Sequence, residues 1–211
     1  MVCGFEGASL KRHWNFWSPS LESKETLRKH FRQLDKKWRE VMGVELANQQ
    51  ATLTQNLVEF LNDESGLWCG YQALSDEASV AQAMEKSSHI TWAFPKVSGT
   101  DLNFWIPNAA TGFANGAYGI QEPTPENSQQ VNLKQVRGLL IPGQAFDRQG
   151  QRLGRGKSFY DRTLQQFKGL KVGVCFSPRL SETKLPTDAW DIGIDFVITE
   201  KQVIQSSATK E

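Results

Sequence analysis

Apolar residues in the first quarter of the chain recur at spacings of four and three. Leu27, Phe31, Leu34, Trp38 and Val41 therefore share one face of a helix. Ser18 and Pro19 suit a cap and a first helical position, so the helix is expected to open there and to end at Gly43. A second amphipathic helix carries Leu46, Leu53, Leu57 and Phe60. Past Gly66 the pattern changes to short apolar runs. LWCGY (67–71), HITWAF (89–94), LNFWI (102–106), RGLLIP (137–142), KVGVCF (171–176) and DFVIT (195–199) predict strands. DEASVAQAMEK (76–86) and the segment from Phe159 to Phe167 predict helices, and Lys96 to Asp101 reads as a hairpin loop. Strands rich in Leu, Ile and Val with helices between them imply an α/β fold whose mostly parallel sheet is covered on both faces. Residues 1–18 read as a loose leader and 19–205 as a single domain.

Composition adds limits rather than a function. A chain of 211 residues can bury about 70% of its unfolded surface, so no disulfide or metal is needed to hold it. The net charge of +1 argues against a broad phosphate footprint such as nucleic acid requires, so any anion site must be a local cluster. Cys3, Cys69 and Cys175 are widely spaced, and the last two lie in apolar runs where a thiol acts as a small hydrophobe. This usage fits the cytoplasm. No apolar run is long enough for a membrane span, and no signal peptide is read. His13, His30 and His89 are scattered and receive no role.

The chemistry concentrates in PGQAFDRQGQRLGRGKSFYDRTL (142–164). Gly154 and Gly156 flank Arg155, and Arg152, Arg155 and Lys157 place three cations within six residues. Glycine allows close approach of backbone to ligand. Successive N–H groups in such a turn cradle phosphate oxygens, and a helix opening near Ser158 would point its positive end at them. A buried strand precedes this loop, and ligands of open α/β sheets bind beyond strand carboxyl ends. A P-loop is a poor match, because its first glycine would fall on Gln151 and Gly150 is one residue out of register.

The block PGQAFDRQGQRLGRGKSFYD (142–161) resembles that of the 5-formyltetrahydrofolate cyclo-ligase family, also called methenyltetrahydrofolate synthetase. Lys24 and Arg28 resemble the family's N-terminal K-x-x-x-R. YQALSDE (71–77), FPK (94–96), YGIQEP (118–123) and DIGIDFVITE (191–200) resemble further family segments in the expected order. The resemblance implies a three-layer α/β/α sandwich of the NagB/RpiA/CoA-transferase type with N-terminal helices. It implies an ATP- and Mg²⁺-dependent conversion of 5-formyltetrahydrofolate to 5,10-methenyltetrahydrofolate through a phosphorylated formyl group. By the same resemblance, Lys24, Arg28, Arg152, Gly154, Arg155, Gly156, Lys157, Ser158, Phe159 and Tyr160 would bind ATP. Lys157 and Arg155 would act at the transferred phosphoryl group, and Asp161 and Asp195 would approach Mg²⁺. Glu77 and Gln72 would meet the folate, with Tyr118 stacking on its rings.

Two departures stand in the nucleotide loop. Ser158 and Phe159 occupy positions where the family usually has glycine and tyrosine, and a serine resists φ > 0, so the loop would shift if that conformation is required. Other readings are a paralogue acting on a different small substrate, and a non-catalytic folate- or nucleotide-binding module. The expected partners are reduced folate and ATP, with no nucleic acid and no membrane, for a monomeric cytoplasmic protein.

Overall fold

The computed structural model of the chain describes residues 23–108, 112–116 and 119–207. Helix α1 (Lys24–Met42) opens on Ser23, whose hydroxyl accepts from the Thr26 N–H at 3.2 Å. The expected start at Ser18 and Pro19 lies outside the described residues. The predicted end holds: Gly43 caps the helix with φ 49°. The predicted apolar face is correct at Leu27 and Phe31, which are buried, but not at Val41, which is 73% exposed. Asp35 is buried on α1 instead, because an arginine from a distant turn reaches it. Helix α2 (Leu46–Leu61) follows and buries Leu53, Leu57 and Leu61.

Strand β1 (Gly66–Cys69), helix α3 (Ala81–Lys86), and strands β2 (Ile90–Ser98) and β3 (Asp101–Pro107) come next. The predicted helix over 76–86 is shorter by its first turn. Asp76 and Glu77 bond to arginines, and the Tyr71 hydroxyl donates to the Ala78 carbonyl at 2.7 Å, which holds that stretch irregular. The predicted loop from Lys96 to Asp101 is mostly strand: β2 and β3 pair to Ser98↔Asp101, with Gly99 (φ 61°) in the tight turn. Strands β4 (Phe113–Asn115), β5 (Gln121–Pro123), β6 (Ser128–Val131), β7 (Gly138–Pro142), β8 (Ala145–Asp147) and β9 (Arg152–Leu153) lead to helix α4 (Phe159–Gln166). Strands β10 (Leu170–Val174), β11 (Leu180–Ser181), β12 (Phe196–Ile198) and β13 (Val203–Gln205) complete the described chain.

Eight strands form the main sheet in the order β13-β12-β10-β7-β1-β2-β3-β6. The run from β12 to β2 is parallel throughout, and the antiparallel pairs lie toward the edges. Side chains alternate between the two faces, as the pleat requires. Trp68, Leu140, Val172 and Ile198 face α2 and α3. Cys69, Leu139, Ile141 and Val197 face the opposite core, with Leu164 of α4 and Phe146 of the small β11-β8-β9 sheet. The expected α/β layering is therefore present, with one outer layer shared between a helix and a small sheet. Cys69 and Cys175 are free and buried, and burial pushes both thiols well up. Among the described residues no helix is long and apolar enough to cross a membrane.

Strand β8 runs back over the face of the main sheet, and Gly173 makes room for it. A Cβ on Gly173 would stand 2.5 Å from the Phe146 ring. Gly173→Ala is expected to lower the unfolding free energy by about 1–3 kcal/mol through overpacking, read as a fall in the urea midpoint at unchanged slope.

Candidate active site

After β1 the chain crosses to β2 on one side, whereas the connections after β7 lead to β10 and β12 on the other. The carboxyl ends of β1 and β7 therefore flank a gap, the position where open α/β sheets hold ligands. A cavity of ≈ 340 Å³ occupies it. Its apolar wall consists of Tyr71, Leu74, Pro95, Val97, Leu102 and Ile120, and its polar wall includes Glu77, Glu122, Arg152, Arg155 and Lys157.

The polar wall is built by the stretch between β9 and α4. Arg152 donates to the Pro142 carbonyl at 3.2 Å, pairs with Asp161 on α4, and lies over the Tyr160 ring. Arg28 of α1 donates to the Gly154 carbonyl at 2.7 Å, and its guanidinium stands where a Cβ on Gly156 (φ 95°) would point. Ser158 adopts φ 55°, ψ 18°, the left-handed region, and it alone does so among the described non-glycine residues. The serine thus accepts the conformation it was expected to resist, at a local cost of about 1–2 kcal/mol. Phe159 begins α4, with the Arg162 guanidinium 5.6 Å from its ring centre. Burial, and after it the Glu77 charge, pushes the Tyr160 hydroxyl well above its ordinary range, so this phenol stays protonated.

Across the cavity, Glu77 is already engaged. Its Oε1 accepts from Arg155 Nε at 2.9 Å and its Oε2 from the Leu74 N–H at 3.0 Å. Arg155 also donates to Asp76 at 2.5 Å, so this loop cation bridges two carboxylates. Burial would raise the Asp76 carboxyl, but hydrogen bonds and charges from Arg155 and Arg179 outweigh it and hold the group below the usual carboxylate range. Lys157 lines the cavity and is exposed. Gln72 lines it as well. Glu122 is buried, accepts from the Val97 N–H at 3.3 Å and lies 3.6 Å from Lys96.

Two predicted residues, Lys24 and Asp195, are placed elsewhere. Lys24 shares a face of α1 with Arg28, yet its amine bonds Asp188 at 2.6 Å and also Asp191, and it does not line the cavity. Burial opposes its charge, but those two carboxylates raise the amine above its ordinary value. Asp195 accepts from the Lys171 N–H at 2.8 Å and its amine at 3.0 Å, at the amino ends of β10 and β12. Asp161, paired with Arg152, belongs to the carboxyl-end cleft, so the two aspartates do not form a common magnesium site. Among the described residues no group of three or more His, Cys, Asp or Glu could hold a metal ion. Tyr118 lies outside the described residues. Gly150 (φ 86°) belongs to the β8–β9 turn, where Asp147 accepts from the Gln149 and Gln151 N–H groups. The near match to a P-loop therefore has no structural counterpart.

The sequence profile of the 5-formyltetrahydrofolate cyclo-ligase family matches residues 20–200. This chain belongs to that family. It is 41% identical over 87 residues to the 5-formyltetrahydrofolate cyclo-ligase of Escherichia coli K12, covering 40% of this chain and 47% of that one. It is 30% identical over 138 residues to the mitochondrial enzyme of that name from Arabidopsis thaliana, covering 57% and 49%. The chain thus spans about half the length of the curated relatives it matches. The structure is also similar to 5,10-methenyltetrahydrofolate synthetase from Aquifex aeolicus, with TM-score 0.72 and 30% identity over 89% of this chain and 95% of that one. The synthetase from Mycoplasma pneumoniae gives 0.66 and 25% over 85% and 99%.

Within this family fold, Asp76, Arg179 and Glu122 belong to the site or its support, and sequence reasoning assigned them no role. Asp76 beside Glu77, in the connection that follows β1, was a usable signal. Arg179 stands in FSPRLS, which has no pattern that points to the cleft.

Two outcomes follow from this geometry. Ser158→Gly is expected to raise the unfolding free energy by about 1 kcal/mol, seen as a higher urea midpoint. The depressed Asp76 carboxyl contributes stability above its unfolded value of about 3.9 and loses it as pH falls through its lower folded value. The stability gap between wild type and Asp76→Asn should therefore be flat near neutrality and close in acid.

Proposed function

We propose that this chain converts 5-formyltetrahydrofolate to 5,10-methenyltetrahydrofolate with hydrolysis of ATP to ADP and phosphate. The observation that carries this reading is the joined cleft at the β1/β7 divergence: a glycine turn with Arg152, Arg155 and Lys157 opens directly onto an apolar cavity. Phosphate chemistry suits the first part and a flat, largely apolar ring system with hydrogen-bonding edges suits the second.

In this reading the formyl oxygen of the substrate attacks the γ-phosphorus of ATP and ADP leaves. The substrate's own N10 then adds to the activated formyl carbon and loses its proton. Phosphate departs with the former formyl oxygen, closing the five-membered ring. Phosphoryl transfer needs positioning and charge neutralisation more than covalent help. Lys157 and Arg155 neutralise the transferred group, while Arg152 and Arg28 shape the turn whose N–H groups face it. Gly154, Gly156, Ser158, Phe159 and Tyr160 supply that turn and the start of α4. Lys24 enters as a tether for the 188–191 segment beside α1. Gln72 and Glu122, the latter held by the Val97 N–H and Lys96, are the polar groups placed to meet the folate, with Glu77 joining them when Arg155 moves. Mg²⁺ supplies further neutralisation when bound. A hard cation of this kind takes phosphates and waters with few carboxylates, so it is expected to arrive on the nucleotide.

Purified protein given 5-formyltetrahydrofolate, Mg²⁺ and ATP is expected to develop the absorbance of the methenyl product, and none should form without ATP. ATP binding without product would move the reading to a paralogue or a binding module. Lys157→Ala is expected to lower kcat by at least about 100-fold with the unfolding midpoint unchanged, since Lys157 is exposed and supports no core. Unchanged turnover would remove Lys157 from the chemistry.

A further inference from the structure

Behind the cleft lies a chain of charges of which the proposed chemistry uses only the outer end, Arg155 and Glu77. Arg179, in the turn after β10, is 2% exposed. Its Nη2 donates to Asp35 Oδ2 of α1 at 3.1 Å and to Asp76 Oδ2 at 3.1 Å. Its Nη1 donates to the Gly143 carbonyl at 3.3 Å, at the mouth of β7. Asp35, also 2% exposed, takes a second bond from Arg39 at 2.8 Å. Asp76 passes the chain on to Arg155 at 2.5 Å, and Arg155 ends on Glu77. Arg39, Arg155 and Arg179 therefore balance Asp35, Asp76 and Glu77.

This arrangement restricts how Arg155 can serve a nucleotide. The Arg155 Nε is engaged by Glu77 and its Nη2 by Asp76, so phosphates must compete with these two carboxylates for the same guanidinium. Removing Arg155 from Asp76 would strand a half-buried carboxylate if nothing else held it, which is costly. Arg179 prevents this, because Asp76 keeps one hydrogen bond from this buried cation, itself held by Asp35 and the Gly143 carbonyl, after Arg155 departs. Glu77 likewise keeps the Leu74 N–H.

We propose that Arg179, fixed by Asp35, is a positioning residue that shares Asp76 with Arg155 and thereby sets how readily Arg155 leaves Asp76 and Glu77 for a nucleotide's phosphates. The inference rests on the nucleotide reading of the glycine turn. It predicts effects of opposite sign at two residues that touch each other. Asp76→Asn loosens the hold on Arg155 and should tighten MgATP binding by about two- to fivefold, the range of a partly exposed ion pair. Arg179→Met leaves Asp76 to Arg155 alone and should weaken binding by a similar factor. It should raise the KM for ATP and hold kcat within about twofold, because Arg179 does not line the cavity. The double variant should bind like Asp76→Asn.

Calorimetric titration of each purified variant with MgATP, paired with thermal unfolding, tests this. Opposite signs and rescue in the double variant support the relay. Equal weakening in both single variants, or no rescue, would overturn it and leave Arg179 a core ion. Should Arg179→Met not fold, Asp76→Asn decides alone: tighter binding supports the relay and weaker or unchanged binding ends it. Wild-type protein that binds no MgATP would instead sink the nucleotide reading itself, and the relay with it.

Discussion

Adjacent parallel strands β1 and β7 send their connections in opposite directions, and the gap between those connections is the constraint on which the cleft depends. Because the strands are parallel, every carboxyl end in the centre of the sheet opens on the same edge. Tyr71 to Glu77 leaves from β1, Gly143 from β7, and the turn with Arg179 from β10. Residues more than 100 positions apart, such as Asp76 and Arg179, meet there without any local signal.

The cleft is held by charge as much as by packing. Arg152 is nearly buried and has Asp161 and the Pro142 carbonyl as partners, so it secures the glycine turn to the end of β7. Arg28 secures the same turn from α1. Arg155 closes the cavity from the other side by reaching Asp76 and Glu77. Of the loop cations, Lys157 has the fewest restraints on its side chain and is the one most available to an incoming anion. A strained Ser158 in the left-handed region sits between Lys157 and α4, where it aims the first turn of the helix back at the cavity.

Much of the fold was legible from periodicity. The two N-terminal helices, the central strands and α4 all appear within a few residues of where apolar spacing puts them. The errors have local causes. Val41 continues the apolar stripe but is exposed, while Asp35 is drawn inward by Arg179. The first turn of the expected helix at 76–86 is absent because its two carboxylates serve the cleft. The strands β2 and β3 extend through what read as a loop, since Lys96 and Val97 pair across to Asn103 and Leu102.

What the sequence determined by itself was the set of chemical parts: the glycine turn with its three cations, the helix that follows, the apolar strands, and a motif long enough to point to a family. Those are local properties, read from spacing and from the conformations that glycine permits. Tertiary structure alone decided which parts face one another. It paired Glu77 with Arg155, turned Lys24 to Asp188 and Asp191, and placed Asp195 at the far end of its strand from Asp161. The physical reason is that a charge is assigned by its nearest counter-charge, and in a parallel sheet the crossover connections, not the sequence separation, set which charges are near.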